Sequence, residues 1–294
     1  MEKPLVRAVF LSQFVILNLH LDKLHRPCYN TEKIHLPPGR LNAFRIRRAS
    51  LGLRRCAAGA YFFGGFMRKP IRYFTLGEWL LWSGSCLAIL IFFFLFDGSD
   101  FLTLIASLIG VTSLIFCAKG NPTGQVLMIL FSLLYGYVSL TFAYYGEMIT
   151  YLGMTAPMAL FSLISWLRHP FKGQKSQVQV ATLSGKDWMI AILLTIAVTV
   201  IFYFILRALG TANLIPSTVS VTTSFLAAYL TWRRSPYFAL IYAANDVVLL
   251  VLWTLASLSD ISYISVVVCF AAFLVNDLYG FISWRRMQRR QGQT

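Results

Sequence analysis

The sequence predicts an all-α, polytopic integral membrane protein with eight transmembrane helices. Of its 294 residues, 57% are hydrophobic and only 13% are charged, and the mean hydropathy is +0.66. A soluble domain is about 45–50% apolar and about 25% charged, so this chain has too little charge to cover a water-soluble surface. Two further observations support the fold class: the apolar residues fall into eight long runs, and the loops between the runs alternate in charge sign.

Residues 1–66 differ from the rest of the chain. They carry eleven Lys and Arg against three acids, a net charge of +8. Their single apolar run, residues 9–19, has about 11 residues where a span needs about 20, and no small-residue cleavage site of a signal peptide follows it. A short basic stretch then leads from Met67 into the first long apolar run. We therefore interpret residues 1–66 as an extension and Met67 as the biological start; a genuine disordered cytoplasmic tail is the alternative.

Eight apolar runs follow from Leu76 onward. Each has about 18–24 residues, enough to cross a hydrocarbon core of about 30 Å at about 1.5 Å per helical residue. Because the backbone must satisfy its own hydrogen bonds in lipid, long apolar runs without strand-like alternation indicate helices. The predicted spans are 76–96, 101–118, 125–145, 148–167, 188–209, 214–231, 236–257 and 261–284.

The loop charges predict the orientation of these spans. Loops one, three and seven are acidic, whereas loops two, four and six and the C-terminal tail are basic; Arg207 is the exception on the acidic side. Since basic loops stay in the cytoplasm, both ends of residues 67–294 are expected to be cytoplasmic, which agrees with an even number of spans. The acids are Asp97, Asp100, Glu147 and Asp260, and the bases are Lys119, Arg168, Lys172, Lys175, Lys186, Arg233, Arg234, Arg285, Arg286, Arg289 and Arg290.

The two halves of the membrane region also resemble each other, which predicts a parallel internal repeat. Four helices separate the matching positions, so both copies enter the membrane from the same side. Parallel repeats occur in transporters, with the substrate bound near the midplane where the halves meet; chance similarity between apolar segments is the alternative. The matched pairs are Trp79 with Trp188, Thr112-Ser113 with Thr223-Ser224, Lys119 to Pro122 with Arg233 to Pro236, and Ser165-Trp166 with Ser283-Trp284.

Ionisable residues inside spans are costly and therefore mark candidate functional sites. Only two acids lie well inside the predicted spans, and each follows an asparagine. On the seventh helix, aromatic residues share a stripe with the acid at spacings of four and seven. Such a set suits a hydroxylated heterocycle such as a nucleoside, and its aromatic faces attract a cationic ring, although these polar groups could instead bind neighbouring helices. The candidate substrate-binding residues are Tyr242, Asn245, Asp246, Trp253, Asn276, Asp277 and, in the first half, Tyr135.

The sequence shows no catalytic machinery. All four histidines lie outside the predicted spans, and HExxH, Gly-rich phosphate-loop and GxSxG motifs are absent. The five cysteines have neither CxxC nor paired spacing. We therefore expect no enzyme activity, no metal and no cofactor. Nucleic-acid binding is not expected either, because the basic residues of 67–294 lie in short loops between apolar runs.

Region 67–294, which contains these residues, resembles the PnuC family of bacterial nicotinamide riboside transporters. The resemblance implies triplets of helices joined by a linker helix, as in the SWEET sugar uniporters, plus one extra N-terminal helix. It also implies facilitated diffusion of nicotinamide riboside across the inner membrane, with trapping by a cytoplasmic kinase. The partners would be a small-molecule substrate and the lipid bilayer, and homo-oligomerisation is possible in such proteins. The matching pieces are Ser224 to Ala227, Arg233-Arg234, Asn245-Asp246, Leu252-Trp253 and Asn276 to Trp284.

The penultimate span departs from the family pattern. Many members carry a Trp-x-x-Trp pair where this chain has Ala239 and Tyr242, so a stacking partner is missing or is replaced by Tyr242. The departure leaves thiamine, riboflavin or a deoxynucleoside as alternative substrates. A membrane sensor or assembly subunit that transports nothing is the alternative from another class.

Overall fold

The computed structural model describes residues 73–98, 100–141, 145–211 and 213–292. The predicted extension 1–66 and the predicted start at Met67 lie outside the described residues. The chain divides into two units at Trp79, and the described part of the first unit is residues 73–79. In the first unit, Thr75 and Glu78 exchange backbone-to-side-chain hydrogen bonds of 2.7 and 3.3 Å, which start the first helix.

The described residues contain eight helices long and apolar enough to cross a membrane, which confirms the predicted all-α, eight-span class. Their outward faces carry exposed aliphatic side chains such as Leu193, as a surface in contact with lipid requires. The helices are α1 Leu76–Phe96, α2 Phe101–Ala118, α3 Pro122–Thr141, α4 Tyr145–Ile149, α5 Ala156–Arg168, α6 Gly185–Ala208, α7 Leu214–Trp232, α8 Tyr237–Ser257 and α9 Ile264–Gly292.

Two helices, α3 and α9, differ most from their predicted bounds. The third span was predicted at 125–145, but α3 begins at Pro122, because proline needs no backbone partner in the first helical turn and Asn121 Oδ1 accepts from Thr123 N at 2.9 Å. The last helix continues past the predicted end at 284 to Gly292. Its basic residues extend the helix beyond the apolar segment instead of forming a loop.

The fourth span is not a continuous α-helix. A π-helical turn, Thr150–Thr155, joins α4 to α5. Thr155 Oγ1 donates to the carbonyl of Thr150 at 3.2 Å, which occupies one acceptor of the wider turn. The turn approaches α3 closely at Gly136, where a Cβ atom would lie 2.5 Å from Leu152 Cγ. Such turns occur frequently at functional sites.

A short hairpin, which the all-α prediction did not include, lies between α5 and α6. Strands β1 Pro170–Phe171 and β2 Gln174–Val178 pair antiparallel. Lys172 and Gly173 form the tip with φ angles of 48° and 76°, as a type I′ turn requires. We call residues 169–184 the connector, and the end of the helices where it lies the connector end.

The connector hydrogen-bonds to three other segments at this end. Val178 N donates to the carbonyl of Gly120 at 2.9 Å, and Ala181 N donates to that of Arg234 at 3.0 Å. Gln291, near the end of α9, accepts from Val180 N at 2.7 Å and donates to the Val178 carbonyl at 3.0 Å. Loops two, four and six and the C-terminal helix therefore share one end, as the alternation of loop charge predicts.

Two buried tryptophans pack against each other near the connector end. Trp166 and Trp284 are both fully buried, and their ring centroids lie 5.3 Å apart. Trp166 Nε1 donates to the carbonyl of Thr231 at 2.9 Å, and Trp284 Nε1 donates to that of Cys117 at 2.7 Å. Each indole therefore crosses to a helix of the opposite half, with a satisfied N–H group.

Candidate substrate-binding site

A cavity of about 530 Å³ lies between spans of both halves, a volume typical of small-molecule sites. Its walls come from α3, α4 and the π-helical turn in the first half and from α7, α8 and α9 in the second half. It reaches Gly210, Asn213 and Ser259, in loops at the end opposite the connector. Towards the connector end, the packed rings of Trp166, Trp284 and Phe238 lie within a continuous buried cluster.

The stripe predicted on the penultimate helix faces this cavity. Tyr242, Asn245, Asp246 and Trp253 of α8 all contribute to its wall. Their spacing of three, four and seven places them on one face of a helix. The predicted Asp277 of α9 joins them, so five of the seven candidates border one space.

Asn245 is held in place by two hydroxyl groups of α7. Its Oδ1 accepts from Ser220 Oγ at 3.1 Å and from Thr223 Oγ1 at 2.8 Å. These two contacts use the carbonyl end of the amide and fix its orientation. The side chain is only 5% exposed, so α7 and α8 hold a polar group at the cavity wall.

The carboxyl groups of Asp246 and Asp277 are neighbours across the contact of α8 and α9. Both side chains are buried, at 4% and 6% exposure. Within the part of the chain that the structure describes, Asp246 Oδ2 has no hydrogen-bond partner. An unpartnered buried acceptor is costly, and a ligand that donates a hydrogen bond or carries a positive charge would remove this cost.

Aromatic rings form much of the remaining wall. The rings of Trp253 and Tyr263 lie 5.4 Å apart near the end opposite the connector. Across the cavity, Tyr151 of the π-helical turn lies 4.7 Å from the ring of Tyr135. Flat faces of this kind stack on heterocycles and attract cations.

Two predicted residues do not reach the cavity wall. Asn276 is 1% exposed, and its Nδ2 donates to Ser85 Oγ at 2.9 Å and to the Ala272 carbonyl at 2.8 Å. It therefore joins α9 to α1. Tyr135 is buried behind Tyr151, so it contacts the ring that lines the cavity without itself lining it.

Sequence reasoning missed a third acid at the cavity. Glu147 was assigned to a loop outside the membrane, but it belongs to α4, opens the fourth span and lines the cavity. Tyr151, one turn later, and Ser217, Ser220 and Ser224 of α7 were also missed. The spacing of four between Glu147 and Tyr151 was the available signal, but the predicted span boundary at 148 separated the two residues.

Comparison with known proteins identifies the family. A sequence model of the family described as nicotinamide mononucleotide transporter matches residues 100–286. The chain belongs to this family. The match begins after α1, so the first helix lies outside the shared region, and all seven candidate residues lie inside it.

Two relatives carry a more specific description, and both are named nicotinamide riboside transporter PnuC. The protein from Neisseria mucosa is 24% identical over 214 residues, which cover 71% of this chain and 81% of the relative. The protein from Haemophilus influenzae is 22% identical over 192 residues, which cover 65% and 82%.

A solved structure shares the fold. The crystal structure of the vitamin B3 transporter PnuC is 22% identical, and the alignment covers 74% of this chain and 94% of that chain with a TM-score of 0.65. The protein is thus a multi-pass membrane protein of a transporter family.

Proposed function

We propose that the protein mediates the uptake of nicotinamide riboside by facilitated diffusion. The charge of the cavity carries this proposal: Asp246 and Asp277 line it beside aromatic rings, and none of its described lining residues is Lys, Arg or His. Nicotinamide riboside has a cationic pyridinium ring and ribose hydroxyls. Carboxylates attract the ring and accept hydrogen bonds from the hydroxyls, and aromatic faces favour the cation.

The same charge distribution favours the riboside over the mononucleotide. A phosphate group carries up to two negative charges and is normally bound by Arg, Lys or helix N-termini. In this cavity it would meet buried carboxylates without a described basic counterpart. We therefore take the riboside as the substrate, as in the two named relatives.

We assign substrate contact to Tyr242, Asn245, Asp246, Trp253 and Asp277. Asn245 and the two acids would accept from or donate to the ribose and the carboxamide, and Trp253 would pack against a ring face. Tyr135 would support the ring of Tyr151, which lies 4.7 Å away, and Asn276 would hold α9 against α1.

We place the protein in a bacterial inner membrane with its connector end in the cytoplasm. The basic residues of the even loops and the C-terminal helix gather at that end, which favours this orientation. The cavity then opens outwards, and a cytoplasmic kinase would trap the arriving riboside by phosphorylation.

Uptake of labelled nicotinamide riboside by proteoliposomes tests the function. We expect equilibration without any ion gradient, an unchanged initial rate when an uncoupler is added, and weak competition by the mononucleotide, thiamine, riboflavin and deoxynucleosides. Protein-free liposomes provide the control. Concentrative uptake driven by an imposed proton or sodium gradient would contradict passive facilitation, and stronger competition by another compound would reassign the substrate.

Labelling of a single cysteine tests the orientation. Gln174 is exposed in the hairpin of the connector, so Gln174→Cys in a cysteine-free background should react with an impermeant thiol reagent only from the cytoplasmic side. Labelling from outside in intact cells would reverse the orientation.

A further inference from the structure

The fourth span begins with a carboxylate that borders the cavity near its outer end. Glu147 is half-buried in the short helix α4 and lines the cavity together with Thr150 and Tyr151 of the π-helical turn. Arg233 and Asp187 form an ion pair at the connector end, away from this carboxylate. None of the described residues that line the cavity with Glu147 is Lys, Arg or His.

The surrounding structure holds Glu147 at this position. The π-helical turn that follows it packs against Gly136 of α3 so closely that a side chain there would collide with Leu152. One helical turn beyond Glu147, the ring of Tyr151 lies 4.7 Å from Tyr135 and 5.8 Å from Phe131. These contacts fix the start of the span, and with it the backbone that carries the carboxylate.

Glu147 belongs to a cavity that already lacks positive charge. Acids from three different helices border it: Glu147 on α4, Asp246 on α8 and Asp277 on α9. Asp246 is 4% exposed, and its Oδ2 has no hydrogen-bond partner among the described residues. Charges interact more strongly beside a low-dielectric protein wall than in bulk water, so the cavity as a whole disfavours anions and favours a cation.

We propose that Glu147 is a specificity-determining residue that selects the positively charged pyridinium form of the riboside over its neutral, reduced dihydropyridine form. This inference rests on the proposed function. The two forms have nearly the same size and the same ribose and carboxamide groups, and they differ in the charge of the ring. A carboxylate near the outer end of the cavity distinguishes them by charge, whereas hydroxyl and amide contacts such as those of Asn245 do not.

The test compares uptake of the two forms by the same proteoliposomes, after subtraction of uptake by protein-free liposomes. We expect the wild type to prefer the oxidised riboside. Glu147→Gln should lower its uptake at subsaturating concentration by roughly tenfold or more, the size expected for the loss of one charged contact, and should leave uptake of the reduced form within about twofold. Glu147→Asp should retain the preference because it retains the charge.

Asp97→Asn is the matched control, since it removes one acidic charge from a loop residue that does not line the cavity; it should change neither rate. An equal fall for both forms, or no fall for either, would overturn the proposal. A wild type without preference for the oxidised form would overturn it even if Glu147→Gln did not fold. Failure of the proposed function gives a different result, because the wild type would then transport neither form.

Discussion

The two halves of the membrane region make matching contacts at the connector end. They make different contacts at the opposite end, which we call the cavity end because the cavity reaches the loops there. Trp166 of the first half donates its indole N–H to Thr231 of the second, and Trp284 of the second donates to Cys117 of the first. Cys117 and Thr231 each lie two residues before the aligned basic residue of the following turn. The two contacts are therefore reciprocal.

The connector continues this correspondence. It donates to the carbonyls of Gly120 and Arg234, which occupy the same aligned position, and both have left-handed backbone with φ angles of 66° and 58°. Such reciprocity is what a parallel internal repeat would produce, although the repeat itself stays a prediction.

The described residues show no such correspondence at the end opposite the connector, where the cavity lies. The first half contributes Glu147 and a π-helical turn, whereas the second half contributes Asn245 and Asp246 on a continuous helix. The comparison teaches that the two halves make the same kind of contact at the connector end but contribute different groups to the cavity wall. A ligand without two-fold symmetry needs such unequal walls.

The largest effect is expected from truncating either buried tryptophan. Trp166→Ala and Trp284→Ala should each lower the free energy of unfolding by about 3–5 kcal/mol, the cost of removing a buried large aromatic side chain. Thermal unfolding in detergent measures this. Trp232→Ala is the control with a small effect, because that side chain is 38% exposed. Strongly unequal losses at Trp166 and Trp284 would break the proposed equivalence of the two halves.

Asn245→Ala should impair transport and leave the fold intact. Losing one hydrogen bond costs about 0.5–1.5 kcal/mol, so KM for nicotinamide riboside should rise roughly 2- to 12-fold. Ser132→Ala is the control from the first half, since this buried hydroxyl donates to the Met128 carbonyl of its own helix. Unchanged uptake by well-folded Asn245→Ala would make Asn245 a structural residue and remove one difference between the halves.

Gln291→Ala should weaken the attachment of the connector. The variant loses the hydrogen bonds to Val180 N and the Val178 carbonyl. Because both hydrogen bonds are partly buried, the loss should be about 1 kcal/mol of unfolding free energy. Hydrogen exchange at residues 178–181 should increase in the variant. Unchanged exchange there would show that the hydrogen bonds to Gly120 and Arg234, with the packing of Val178, hold the connector without Gln291.

The smallest effect concerns the cap of the last span at the cavity end. Asp260 Oδ1 accepts from the backbone N–H of Ser262 at 3.0 Å, and this hydrogen bond lowers the pKa of Asp260 below its ordinary value. A carboxyl group whose pKa is lowered by folding stabilises the folded state at pH values above its ordinary pKa. This stabilisation disappears as the pH falls through the lowered pKa. Asp260→Ala should therefore lower the melting temperature slightly at pH 7, and the difference should vanish at strongly acidic pH. A difference that persists there would assign it to helix packing instead of charge.

The sequence by itself determined the membrane class, the number of spans and the sharing of one end by the even loops. Apolar length and loop charge act locally and need no knowledge of packing. It also indicated the stripe of Tyr242, Asn245, Asp246 and Trp253, because helical periodicity puts these residues on one face whatever that face contacts.

Only the tertiary structure decided which polar residues meet in the cavity. Asn276 and Asp277 are neighbours in sequence, but successive helical residues point in different directions, so one bonds to α1 and the other lines the cavity. The position of Glu147 depended on a span boundary and a π-helical turn that hydropathy does not reveal. The exchange of indole contacts by Trp166 and Trp284 depended on how the two halves dock, since a hydrogen bond between residues far apart in the chain leaves no local pattern.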